Sequence, residues 1–267
     1  MIFEQHTMRT PNDTSSQEYK FVFQAYSNIQ LVNIALYIII KDGNPLFFEE
    51  INKKVNSLDN FEYTYSKTLL TGMGLELTDT KYENERSLFS DYNIIGFNNM
   101  KEYLLWYIEC RELVELYDLM QIYVEKIFEK KRIDRKNERK LFKLLPKIVD
   151  IKTIESCCFD SVEKSVDVLL RYCYYCRNLI VHKNGIIDSK FNINIEALGR
   201  EKNCFNEKFD ELLKSLTDQM DNIQYNEKFD IFPQSTEIGA AIRFRGNFIN
   251  IIRNLFVFIF EYIEFGI

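Results

Sequence analysis

With 267 residues, 46% of them hydrophobic, the chain holds ample apolar material for one large core or two small ones. Nine glycines and four prolines, against abundant Leu, Ile, Phe, Tyr, Glu and Lys, favour long helices with few sharp turns. A formal charge of −6 excludes a global positive field, so contact with nucleic acid would need a local basic patch.

Residues 1–16 are polar and expected to fray, ending in Thr14-Ser15-Ser16, a run that can cap a helix. Met1-Ile2-Phe3-Glu4-Gln5-His6 lacks the charged and apolar regions of a secretion signal, and His6 is given no functional weight. Phe21, Ala25, Ile29, Val32, Leu36, Ile39 and Ile40 predict a helix over 17–41. Gln30 and Asn33 interrupt its apolar run, so it falls short of the roughly 18 uninterrupted apolar residues of a membrane span. The expectation is a soluble, cytoplasmic protein with no membrane partner. Lys41-Asp42-Gly43-Asn44-Pro45 stops this helix and starts another over 45–58, and a weaker one follows over 62–76. Gly72-x-Gly74 has no preceding strand and no following Gly-Lys-Ser/Thr, so it reads as a helix break and not a phosphate loop.

Residues 77–99 are polar and without a period. They mark either a boundary between an N-terminal helical region, 1–98, and a second region, 99–267, or a long surface loop within one domain. Leu104, Leu105, Ile108, Leu113, Leu116, Tyr117, Met120, Val124 and Ile127 then predict a strong helix over 100–128. A basic segment follows at 130–147. Its Lys131, Arg132, Arg135, Lys136 and Arg139 suit either a solvated helix turn or contact with an RNA backbone.

Further helices are expected over 147–158 and 160–182, the second burying Val162, Val166, Leu169, Leu170, Cys173 and Cys176. Residues 185–188 and 191–195 alternate briefly and are expected to be extended. An amphipathic helix over 204–220, a polar linker to Phe232-Pro233 and a very apolar last helix over 236–265 complete the chain. The last helix must be buried in the core or at a subunit interface. The six cysteines read as reduced thiols, since Cys173-x-x-Cys176 has no second pair to complete a metal site.

The chemistry concentrates at Arg177-Asn178-x3-His182, followed by the helix stop Asn184-Gly185. Arginine is a permanent cation with a forked donor face, and histidine is the side chain that exchanges protons near neutral pH. On an ideal helix the two would point about 140° apart, so they converge only if the helix ends near Val181. Taken alone, His182 also suits a simple capping role at a helix C-terminus.

The spacing, with Asn directly after Arg and an Asn-Gly stop, resembles the Arg-x(4–6)-His motif of the HEPN superfamily. The resemblance covers about residues 100–265 and implies an all-α, HEPN-like helical bundle with an additional N-terminal helical region. It implies a metal-independent endoribonuclease that needs no cofactor and gives 2′,3′-cyclic phosphate ends. His182 would be the base on the ribose 2′-OH or the acid to the leaving oxygen, and Arg177 would stabilise the transition-state charge. Asn178 would orient Arg177 or hydrogen-bond the phosphate, and Glu109 looks like the acidic residue that holds Arg177, although Glu112 and Glu115 are also available. Lys183 joins the basic segment as an expected RNA contact. One histidine cannot easily be both acid and base, so the resemblance implies a homodimer with two motifs in one cleft. Such proteins are commonly toxins or anti-phage defence effectors, with an antitoxin or other regulatory protein as partner. The other reading is a non-catalytic HEPN-like module for dimerisation or for binding RNA or protein.

Overall fold

A computed structural model describes residues 7–42, 97, 100–134, 138–159, 164–199, 237–244 and 248–266. The helices expected over 45–58, 62–76 and 204–220 lie outside these residues, as do Gly72-x-Gly74, most of the 77–99 stretch, the Phe232-Pro233 linker, Cys204, Arg135 and Lys136. The fold is all-α, with seven helices and no strand among the described residues. They are α1 (Gln17–Asp42), α2 (Met100–Lys131), α3 (Leu141–Leu144), α4 (Ile151–Phe159), α5 (Ser165–Lys183), α6 (Ser189–Glu196) and α7 (Phe248–Phe265).

The central element is α2. Its Tyr103, Trp106, Cys110, Leu113, Tyr117, Met120, Val124 and Ile127 recur in alternating steps of three and four, and all are buried. Leu116, Leu119 and Tyr123 carry burial to its other sides, because neighbours surround it. Against it α1 runs antiparallel, as Lys130–Glu18 and Gln30–Glu112 contacts show. From α5, Tyr174 meets Tyr117 while Gly185 abuts Trp106, so this neighbour is antiparallel too. On a third side α7 lies parallel to α2, with Arg253 on Glu112 and Phe260 on Tyr123. Each such large apolar side chain contributes roughly 1.5–3 kcal/mol on burial.

The last helix is buried through Leu255, Phe256, Val257, Ile259 and Phe260, so the core takes this apolar run. It begins at Phe248, later than its composition predicts, and residues 237–244 run outside any helix. Of the five described cysteines, Cys110, Cys158, Cys173 and Cys176 are buried free thiols and Cys157 is exposed.

Residues 7–16 do not fray. The Arg9 backbone N–H donates to Glu261 at 2.6 Å and Ser16 donates to Glu264, so the strap is tied to α7. Ser16 also caps α1, its hydroxyl accepting from the Tyr19 N–H at 3.1 Å. The inner side of α1 buries Tyr19, Val22 and Tyr26, while Leu31, Ile34, Ile38 and Ile39 stay exposed. By length and composition alone, Gln17–Lys41 is apolar enough to cross a membrane.

One local expectation is corrected. The 189–196 segment is helical where alternation suggested an extended chain, because the Asp188 carboxylate accepts from the Phe191 N–H at 2.7 Å. Phe191 and Ile195 therefore share a buried face, one turn apart, while Ile193 is 64% exposed. Among the described residues of the basic segment, α2 ends at Lys131, and Leu141–Leu144 and a 3₁₀ turn at Leu145–Lys147 follow.

Candidate functional site

The motif lies on the last turns of α5. Asn184 adopts a left-handed conformation at φ 53° and its N–H returns to the Leu179 carbonyl, which closes the helix. Gly185 follows at φ +73°, and its N–H also reaches Leu179 O at 3.2 Å. A Cβ at Gly185 would lie 2.7 Å from the Trp106 ring, so only glycine fits both the conformation and the space. The Trp106 indole N–H donates to Ile242 O at 2.6 Å, and the Ile242 N–H donates to Gly185 O at 2.8 Å. The α5 terminus is thereby fixed to α2 and to the 239–242 segment, which also bridges Ile186 to Ala241.

Arg177 is half-buried in the groove between α5 and α2. Its Nε donates to Asp118 at 3.1 Å, its Nη2 to the second Asp118 oxygen at 3.4 Å, and its Nη1 to Asn178 Oδ1 at 3.4 Å. Asn178 thus lies beside the guanidinium, at the long end of hydrogen-bond range. The carboxylate that holds Arg177 is Asp118 and not Glu109. The two acids are nine residues apart on α2, and at 100° per residue they point about 180° from one another.

Glu109 stands on the other side of α2 with Arg243 and Glu112 for electrostatic neighbours. Burial of its carboxyl and repulsion from Glu112 push it up to about 7, against the pull of Arg243. The side chain still reaches solvent, which offsets part of that push.

His182 is exposed, as is Lys183 beside it. The helix does not stop at Val181; it continues through Lys183. Arg177 and His182 therefore keep the roughly 140° separation and about 7.5 Å rise of five helical residues. The condition for their convergence within one copy is unmet.

The expected RNA contacts are spread out. Lys131, Arg132 and Arg139 are exposed, but Lys131 is thirteen residues from Asp118 along α2, about 20 Å at 1.5 Å per residue. Because α2 and α5 are antiparallel, Lys131 and Arg132 lie toward the N-terminal end of α5, away from His182. The last part of the basic segment returns to α5: Lys140 sits 5.3 Å above the Tyr174 ring and Lys143 pairs with Glu138.

Two groups in the groove were not singled out from sequence. Asp118 is the first. Arg111 is the second, bonded to Glu115 at 2.8 Å and about two turns before Asp118 on the same side of α2. Arg111, Glu115 and Asp118 recur at i, i+4 and i+7, a spacing that marks one helix face and would have identified the stripe. Comparison with protein-family models, with curated proteins and with solved structures finds no match.

Proposed function

We propose that this chain is a metal-independent endoribonuclease of HEPN type, acting in a composite site formed by two copies. The observation that carries the reading is the C-terminal end of α5: Arg177 oriented by Asp118 and Asn178, His182 exposed, both on a rigidly capped helix. Arg177 supplies a preoriented cation for a phosphate, which costs little reorganisation when charge develops. His182 supplies a proton-transfer group open to a substrate.

In the reaction, one imidazole removes the ribose 2′-OH proton and O2′ attacks the adjacent phosphorus. The P–O5′ bond breaks, and O5′ takes a proton from a second, protonated imidazole. The products are a 2′,3′-cyclic phosphate and a 5′-hydroxyl. A single copy offers one histidine here, and the angle between Arg177 and His182 on an unbroken helix also favours a cleft completed by a second copy. Lys183 and Arg139 would contact the RNA backbone, and the toxin or defence role with a regulatory protein partner follows from the resemblance.

The alternative, a non-catalytic module that dimerises or binds RNA or protein, draws on the same Asp118 pair, which satisfies Arg177 without any substrate. Activity against dilution separates the two. For the composite enzyme, cleavage per mole of protein falls as sedimentation shows the dimer dissociating. Cleavage per mole that stays constant into the monomer range contradicts the composite site, and no cleavage by a confirmed dimer supports the module.

A further inference from the structure

The outward face of α5 carries more than the motif. Arg171, Tyr175, Asn178 and His182 recur at i, i+4, i+7 and i+11, a stripe about 16 Å long at 1.5 Å per residue. Tyr174 lies beside it, one turn before Asn178. Both tyrosines are half-buried, not enclosed, on a helix whose opposite side is buried. Their ring centroids are 5.8 Å apart at 59°. Tyr174 packs against Phe142 at 5.7 Å in a T-shaped contact and against Tyr117 at 6.4 Å, and the Lys140 ammonium lies 5.3 Å from its ring centroid. Arg171 is fixed to Asp167 at 2.6 Å, one turn before Tyr175.

Aromatic rings beside cations, in line with the exposed His182, suit an unpaired nucleobase. Every base has a π-face to stack, and the neighbouring cations follow the phosphates. A duplex hides those faces. We propose that Tyr174 and Tyr175, with Lys140, form a nucleobase-stacking subsite that holds an unpaired nucleotide about two helical turns from His182. The subsite takes its ligand from the ribonuclease reading, but its binding is separable from cleavage.

The test measures fluorescence anisotropy of a short fluorescein-labelled 2′-O-methyl single strand, which lacks the attacking hydroxyl, on the full chain in EDTA. Tyr175→Ala is expected to weaken binding roughly five- to hundredfold, the range for loss of one stacked base. Tyr175→Phe keeps the ring and stays within about twofold of wild type on that account. Lys140→Ala, which leaves both rings in place, gives a smaller loss. Equal affinity for Tyr175→Ala and wild type, with unchanged circular dichroism, overturns the subsite. So does a wild type that binds no single strand, or a Tyr175→Ala that loses the dimer instead, which would make this face a protein contact. Tyr175-dependent binding without cleavage of the matching all-ribose strand leaves the subsite standing and sinks the ribonuclease. Cleavage undiminished in Tyr175→Ala does the reverse.

Discussion

Two arginine–carboxylate pairs brace α2, six residues apart along it, and their surroundings differ. Arg253 of α7 meets Glu112 at 2.6 Å, where the glutamate is only 6% exposed and Gln30 of α1 donates to the same oxygen at 2.9 Å. Arg177 of α5 meets Asp118 at 3.1 Å with side chains 26% and 41% exposed. The first joins three helices around a carboxylate that water barely reaches; Arg253 itself is 25% exposed and also donates to Asn250, so the contrast lies in the acids, Glu112 against Asp118. The second lies at the rim of a groove, where an ion pair contributes about 0–1 kcal/mol and an incoming phosphate can replace the carboxylate at little cost. One pair is committed to packing and the other remains exchangeable.

The largest expected effect comes from breaking that contrast at its buried end. Glu112→Ala removes the acceptor that Arg253 and Gln30 share and should lower unfolding free energy by about 2–3 kcal/mol, below the figure for a fully buried pair because Arg253 reaches solvent. Urea titration would measure it. Arg177→Ala should cost less than about 1 kcal/mol in the same titration. If the chain is the proposed ribonuclease, RNA cleavage also falls about a hundredfold or more, since Arg177 is then the transition-state donor. If Arg177→Ala unfolds the protein as readily as Glu112→Ala, the distinction between committed and exchangeable pairs is lost.

Next in size is Gly185→Ala. A left-handed residue with its Cβ 2.7 Å from Trp106 must move either the ring or the helix end. A loss of about 1–3 kcal/mol in melting experiments is expected. Cleavage should fall as well, because Trp106 anchors the motif helix. A fully stable and active Gly185→Ala would show that the anchor is unimportant. Smaller again is Asp188→Ala, which removes the α6 cap and should cost about 1 kcal/mol by urea titration.

The smallest effect concerns Glu109. Its carboxyl is raised from 4.5 to about 7 in the folded protein, so between those values the folded state binds more protons than the unfolded state. This contribution to stability is therefore present at low pH and is lost as pH rises toward 7. Solvent access to the side chain keeps it small. Glu109→Gln should flatten the slope of stability against pH in that window, and an unchanged slope would assign it to other groups.

Periodicity was enough to read the elements that depend on it. The three-four steps from Tyr103 to Ile127 and the apolar run from Leu255 to Phe260 repeat an apolar face often enough to define both a helix and a buried side. Asn184-Gly185 marked the helix stop because its signal is local backbone chemistry. The end of α5, expected at 182, lies at Lys183, and that single residue keeps the final turn helical so that Arg177 and His182 stay apart. The partner of Arg177 was out of reach for a different reason. Glu109 and Asp118 sit on the same helix, and which faces α5 depends on how the two helices are rotated about their axes. Phe191, Ile193 and Ile195 alternate like a strand, and only the Asp188 side chain, reaching forward to Phe191, turns them into a helix. The strap at residues 7–16 has no apolar period at all; it is ordered by Glu261 and Glu264, some 250 residues away in sequence.

The most direct measurement incubates labelled RNA with wild type and with His182→Ala in excess EDTA, after circular dichroism has established equal folding. Wild type should give fragments ending in 2′,3′-cyclic phosphate, and His182→Ala should give none. EDTA-sensitive cleavage that survives His182→Ala would contradict the account, because the chemistry would then belong to another site.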